Sequence, residues 1–301
     1  MLENIKTWIS AFRLRTLPLS VSGIIVAGSL AEYNGFFDWV VLVLAILTTL
    51  SLQILSNIAN DYGDGVKGTD NIDRIGPERA LQSGKITANS MFEAIKINIL
   101  ISIGLAFFLI LAAFGINHFL LAMLFFGLGL LSIYAAIKYT IGSNAYGYKG
   151  LGDIFVFVFF GLVSVIGGYV LFSRQFDHIT ILPACTIGLL SVAVLNLNNL
   201  RDVDSDKKAN KNTLVVKMGY KKGKIYHYFL IISAIIVSLL YGILYYTSIF
   251  NLIYFVTYIP LIIHLVTVYK NKEPRLLDSE LKKLALTTFF LSILLAIGHL
   301  L

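Results

Sequence analysis

The chain has 301 residues, of which 57% are hydrophobic and only 14% charged, with a mean hydropathy of +0.80. A water-soluble domain carries roughly a quarter charged residues, so this composition excludes an ordinary soluble protein and a disordered one alike. A single cysteine, Cys185, excludes a disulfide framework or a cysteine-rich zinc site, and the net charge of +7 fits membrane orientation better than nucleic-acid binding.

Nine apolar stretches follow one another, at about 17–33, 38–60, 90–113, 118–138, 151–173, 179–200, 225–247, 250–270 and 284–301. Each approaches the roughly 20 residues that a helix needs to cross a ~30 Å hydrocarbon core. None shows the two-residue alternation of a barrel strand, so the pattern predicts an all-α polytopic membrane protein in a lipid bilayer. All but two of the 24 Lys and Arg residues fall on alternate loops or the N-terminus, the exceptions being Lys96 and Arg174. This bias predicts a cytoplasmic N-terminus and an external C-terminus. The basic run 207–224 serves that topology, with attraction of an anionic substrate or lipid as a second use.

Before the first span stand Arg13 and Arg15, read as interfacial anchors or as diphosphate contacts. The second span ends in a polar stripe. Gln53, Asn57, Asn60, Asp61 and Asp64 share one helical face, and glycines at 63, 65 and 68 allow the backbone to turn tightly. Arg74 and Arg79 follow in the next loop. Tyr134 and Lys138 stand four apart at the end of span four, where the lysine serves either as a topology anchor or as a phosphate contact. Asp153 lies just inside span five; an intramembrane carboxylate faces a cavity or a partner charge. Span six ends as span two does. Asn198, Asp202 and Asp206 are spaced by four, and Asn199 precedes Asp202 by three. The recurrence predicts one membrane domain over residues 1–301, made of two related halves at about 1–138 and 139–301.

Such stripes need a physical reason. Two carboxylates about 6 Å apart repel by roughly 3 kcal/mol at an effective dielectric of ~20, and acidic side chains oppose the negative end of a helix dipole. A divalent cation reverses both penalties. Hard oxygen ligands shared with substrate phosphates describe Mg²⁺. The Asp202-x-Asp204-x-Asp206 string is not a calcium loop, because Lys207 and Thr213 occupy its glycine and glutamate positions. No histidine pair has ligand spacing, and no phosphate-binding G-x-x-x-x-G-K-[ST] loop occurs.

The strings Asn60-Asp-Tyr-Gly-Asp-Gly-Val-Lys-Gly-Thr-Asp70, Asp73-Arg-Ile-Gly-Pro77, Tyr146-Gly-Tyr-Lys-Gly-Leu-Gly-Asp153, Asn198-Asn-Leu-Arg-Asp202 and Lys211-Asn-Thr-Leu-Val-Val216 resemble the UbiA superfamily of intramembrane prenyltransferases. Within it they look like the MenA branch, which prenylates 1,4-dihydroxy-2-naphthoate in menaquinone synthesis. The resemblance spans about residues 8–300. It implies nine helices around a central cavity with a lateral opening for the tail, in the bacterial cytoplasmic (inner) membrane. It further implies that polyprenyl diphosphate is the donor and that Asp61, Asp64, Asp202 and Asp206 hold Mg²⁺ against its diphosphate, with Lys138 stabilising the leaving group. Asn57, Asn60, Tyr134, Asp153, Asn198, Asn199 and Arg201 are the expected substrate contacts. The superfamily's fourth acidic position is Gly68 here, with Asp70 two residues on. A different aromatic acceptor, such as 4-hydroxybenzoate or homogentisate, and an ion-coupled transporter stay open as alternatives.

Overall fold

The computed structural model of the chain describes residues 2–69, 75, 76 and 78–301. Asp70, Asp73 and Arg74 lie outside the described residues. The described residues form helices and no strands: α1 (Leu2–Phe12), α2 (Leu17–Tyr33), α3 (Trp39–Val66), α4 (Ala88–Phe114), α5 (Phe119–Lys138), α6 (Gly152–Val156), α7 (Gly168–Ser173), α8 (Ile181–Arg201), α9 (Val203–Lys208), α10 (Leu214–Met218), α11 (Tyr220–Leu244), α12 (Tyr258–Lys270) and α13 (Asp278–Leu300). A π-wound segment, Phe157–Gly167, joins α6 to α7 as one rod, and 3₁₀ turns precede several of the others. Among the described residues nine rods are long and apolar enough to span a bilayer. The expected spans two, seven and nine begin or end several residues short of their helices, because charged residues lengthen each rod beyond its apolar core.

Local chemistry sets the helix starts. The Asp38 carboxylate accepts from the backbone N–H groups of Val40 and Val41 at 2.7 and 3.2 Å and opens α3. Thr87 and Thr213 cap α4 and α10 in the same way. The end of α3 departs from expectation. Gly63 and Gly65 stay helical, and the chain turns only at Gly68, whose φ is +71°. Gly63 is needed for contact rather than for turning, since a Cβ there would sit 2.5 Å from Thr140 Oγ1.

The rods pack mostly against chain neighbours, α3 on α4 and α8 on both the π-wound segment and α11. The last helix, α13, returns along α2 and closes the ring. Close packing of the π-wound segment on α8 depends on Gly161, where a Cβ would lie 2.8 Å from Gly188 Cα. One buried apolar cluster joins α2, α8, α11 and α13, and a second joins α1, α3 and α4. Large apolar side chains such as Leu100, Phe107, Leu120 and Ile243 point outward, as a lipid-facing surface requires. The C-terminal helices share a buried polar chain as well: His227 Nε2 meets His264 Nε2 at 2.9 Å, and His264 Nδ1 meets Glu280 Oε2 at 2.7 Å.

Candidate active site

Inside the ring lies a cavity of about 420 Å³. Most of its wall is apolar, from α2 (Leu19, Ile24), α4 (Leu109), the π-wound segment (Phe159, Phe160) and α8 (Val194, Leu195). Its polar lining includes Asn57, Asn60 and Asp64 from α3, and Asn198, Asp202 and Asp206 from α8 and α9. The two acidic stripes therefore open onto one chamber.

Periodicity explains the first stripe. Asn57, Asn60 and Asp64 recur every three or four residues, so one face of α3 carries them inward. Deeper in, the stripe is used for construction. Asn57 donates to the carbonyl of Phe12 at 2.9 Å and to Thr16 Oγ1 at 3.2 Å, which fastens α3 to the turn before α2. The same turn carries Arg13, a non-glycine residue with a φ of +53°. Its guanidinium pairs with Asp61, and Arg79 approaches the same oxygen at 3.5 Å. Asp61 is consequently only 1% exposed and is not a lining residue, whereas Arg13 and Arg79 are.

Asp64 takes different partners. The Tyr148 hydroxyl donates to its Oδ1 at 2.7 Å, and Lys211 Nζ reaches its Oδ2 at 3.2 Å. Tyr148 is held in turn by Thr69, hydroxyl to hydroxyl, at 2.6 Å. Lys67 ties the end of α3 to the same segment through the carbonyls of Thr140 and Gly142 at 2.6 and 2.9 Å.

The second stripe sits where a helix breaks. α8 ends at Arg201 and α9 begins at Val203, with Asp202 between them. Arg201 is 1% exposed and grips Asp202 through two nitrogens at 2.8 and 2.6 Å. It also donates to Asn198 Oδ1 at 2.9 Å and to Asp278 Oδ1 at 2.5 Å, so it links α8 to α13. After α9 the chain reverses at Asn210 (φ +55°), and the Lys211 N–H donates to the Asp206 carbonyl at 2.8 Å. That turn aims Lys211 back over the acidic tips. Its Nζ lies 3.2 Å from Asp64 and 3.9 Å from Asp206, so the two carboxylates are at most 7.1 Å apart across it. Burial disfavours the Lys211 charge, but Asp64 and Asp206 outweigh it and raise its pKa above the ordinary lysine value. Burial also pushes the Tyr139 phenol up to about 12, so it stays neutral around pH 7.

Other expected site residues fall elsewhere. Tyr134 is 59% exposed on the outer side of α5, and neither it nor Lys138 is among the described lining residues. The face of α5 that lines the cavity instead carries Ser132, Ala135, Ala136 and, just past the helix end, Tyr139. Asn199 is buried outside the lining, one helical step from the Asn198 face. Asp153 is 7% exposed, sits beside Tyr226 rather than on the cavity wall, and leaves Oδ2 without a partner. Arg201 binds its neighbours behind the wall. Asp204 is exposed on the far side of α9. Lys211 and Tyr148 lie in strings that carry the family resemblance but received no role from the sequence, and Tyr139 was not singled out. The first lay within a basic run that topology already explained, and the tyrosines stand in a loop whose path no periodicity reveals.

The donor chemistry is that of a hard divalent cation, although among the described residues no three such side chains are already gathered around an ion-sized site. Three carboxylates from two chain segments line one end of one chamber, and a side-chain ammonium already stands between two of them as a monovalent stand-in.

The UbiA prenyltransferase family matches residues 21–294 of the chain. The 1,4-dihydroxy-2-naphthoate octaprenyltransferase of Haemophilus influenzae is 42% identical over 299 residues, covering 98% of this chain and 96% of that one. The Escherichia coli protein of the same name is 45% identical over 243 residues, covering 80% and 78%. Among solved structures, a UbiA homolog from Archaeoglobus fulgidus bound to DMAPP and Mg²⁺ superposes with a TM-score of 0.63 at 15% identity, covering 97% of this chain and 99% of that one.

Proposed function

The chain belongs to the UbiA prenyltransferase family, and we propose that it transfers a polyprenyl group from polyprenyl diphosphate to the ring of 1,4-dihydroxy-2-naphthoate, with release of CO₂ and diphosphate. The product is demethylmenaquinol, an intermediate of menaquinone synthesis. The observation that carries this reading is the convergence of Asp64, Asp202 and Asp206 at one end of a chamber that is otherwise largely apolar. A diphosphate ester with a long hydrocarbon tail has the same division. Two relatives named for this reaction, those of Haemophilus influenzae and Escherichia coli, share 42% and 45% identity with the chain.

The chain's residues divide the work. Arg13, Arg79 and Lys211 line the acidic end and would bind phosphate oxygens by charge-assisted hydrogen bonds. Asp64, Asp202 and Asp206 would hold Mg²⁺, with Asp61 joining them when Arg13 and Arg79 turn to phosphate. Bound there, the metal supplies Lewis-acid neutralisation of the leaving diphosphate. The allylic C–O bond breaks with its electron pair passing to the diphosphate. Positive charge then builds on the prenyl carbon, and Tyr146 and Phe155, stacked on each other in the cavity wall with centroids 3.9 Å apart, would stabilise it through an outward ring face. Ring electrons of the naphthoate form the new C–C bond, and the electrons of the departing carboxylate restore aromaticity. The apolar wall keeps water from capturing the cation. Asn60 and Asn198, at the rim of the acidic end, offer amide groups to orient the ring hydroxyls.

The excess of Lys and Arg on alternate loops supports a cytoplasmic position for this end of the bundle, in the inner membrane of a bacterium. The test is a product assay on the purified chain with Mg²⁺, a polyprenyl diphosphate and, in parallel, dihydroxynaphthoate, 4-hydroxybenzoate and homogentisate. Prenylated, decarboxylated naphthol is expected from the first acceptor. Transfer only to one of the others would overturn the assignment of the acceptor.

A further inference from the structure

Lys211 is the group that joins the two acidic tips. It stands 147 residues from Asp64 in sequence, yet its ammonium lies between Asp64 and Asp206, at 3.2 and 3.9 Å. Without a cation there, two carboxylates from different segments would face each other in a poorly solvated chamber. Resting on the prenyltransferase reading above, we propose that Lys211 is a placeholder for the metal. In the substrate-free protein its ammonium occupies the gap between Asp64 and Asp206 that a divalent cation fills when the donor binds, and it then turns to the diphosphate.

The backbone and the side chain of Lys211 are suited to different parts of this exchange. The backbone is anchored by the reversal at Asn210 and by the bond from its N–H to the Asp206 carbonyl. The side chain is a flexible four-carbon stem carrying a point charge, free to pivot about that anchor. Its ammonium also lies 5.5 Å from the centroid of the Tyr148 ring, a cation–π contact that accompanies the ion pairs. Arg201 is the contrasting case. It is 1% exposed and bound to Asp202, Asn198 and Asp278 at once, so it has no room to exchange partners.

A divalent ion arriving alone must displace the ammonium and leave it buried without a counter-charge. A divalent ion arriving with a diphosphate brings the anion that receives the ammonium. The exchange therefore makes metal binding depend on the donor, and it deters the site from filling with metal before the prenyl group is present.

Mn²⁺ binding, followed by electron paramagnetic resonance on the purified full chain in nanodiscs without substrate, tests this directly. Lys211→Met and Lys211→Gln are expected to bind Mn²⁺ at least about tenfold more tightly than wild type, while Lys211→Arg stays within about twofold. A merely structural lysine predicts equal or weaker binding on its removal. Folded neutral variants, verified by helical circular dichroism, that bind Mn²⁺ no more tightly than wild type overturn the proposal. A wild-type measurement stands beside the variants should they fail to fold. Saturating Mn²⁺ should raise the reactivity of Lys211 toward an amine acylating reagent several-fold, read by peptide mass spectrometry, and added inorganic pyrophosphate should lower it again. Reactivity that ignores Mn²⁺ also overturns the proposal. Neither readout uses an acceptor. Prenylation of a different ring would end the naphthoate reading and leave this one standing, whereas metal binding blind to residue 211 in an active naphthoate enzyme would end this one alone.

Discussion

The two acidic tips are alike in sequence and unlike in construction. On α3 the carboxylates remain inside a continuous helix, and their counter-charges come from far away: Arg13 and Arg79 for Asp61, Lys211 for Asp64. At the α8–α9 break the main counter-charge of Asp202 is its own chain neighbour, Arg201, buried and committed to Asp278 as well. The first tip is therefore neutralised by groups that line the cavity and can trade partners with a substrate anion. In the second, Asp202 is neutralised from behind the wall, while Asp206 shares Lys211 with the first. The difference separates residues that serve binding from a residue that serves position, although all are basic side chains touching aspartates.

The comparison breaks most visibly at the carboxylates both tips present to the cavity. Asp64→Asn and Asp206→Asn are each expected to lower kcat for prenyl transfer by about a thousandfold, measured at saturating Mg²⁺ and donor. A smaller loss at one of them would show that the tips do not act as a unit. Next comes Arg201→Met. It strands buried Asp202 without its partner and should cost about 3–5 kcal/mol of stability, as breaking a buried ion pair does, read from thermal or denaturant unfolding in detergent. Arg79→Gln should instead leave unfolding nearly unchanged and raise KM for the donor about tenfold. Equal stability losses in the two variants would erase the distinction between binding and positioning residues.

A smaller effect is expected at Gly63→Ala. The added methyl meets Thr140 Oγ1 at 2.5 Å and should destabilise by about 1–3 kcal/mol. The pH dependence of Lys211 sharpens the same contrast. Its pKa is raised in the folded protein, so its ion pairs contribute fully below the unfolded lysine value, about 10.4, and are lost only as pH climbs through the higher folded value. The stability difference between wild type and Lys211→Met should accordingly be flat from about pH 6 to 9, as unfolding curves at several pH values would reveal. The least effect belongs to Asp204→Asn, since that side chain is exposed on the outer side of α9. Its activity should stay within about twofold of wild type.

Hydropathy and spacing were enough for much of this protein. Nine spans, their helical character and the lining residues Gln53, Asn57, Asn60 and Asp64 follow from runs of about 20 apolar residues and from steps of three and four, whereas Asp61, assigned to the same face, lies off the wall against Arg13. Spacing on the second tip included Asn199, which the structure buries outside the lining, about 100° around the helix from Asn198 on the wall. It also ended α3 too early. Glycine in a polar stretch suggests a turn, but here Gly63 is demanded by Thr140 of a distant loop.

The division has a physical origin. Transfer of a helix into lipid depends on its own side chains and backbone bonds, so span positions and polar faces are written locally. Which cation meets which carboxylate depends on the path of loops between spans. Tyr148 and Lys211 reach Asp64 from 84 and 147 residues away. Arg201, expected from sequence to contact substrate, instead stays behind the wall, where Asp278 of α13 and Asp202 hold it. Those pairings are long-range electrostatics set by how the helices close into a ring.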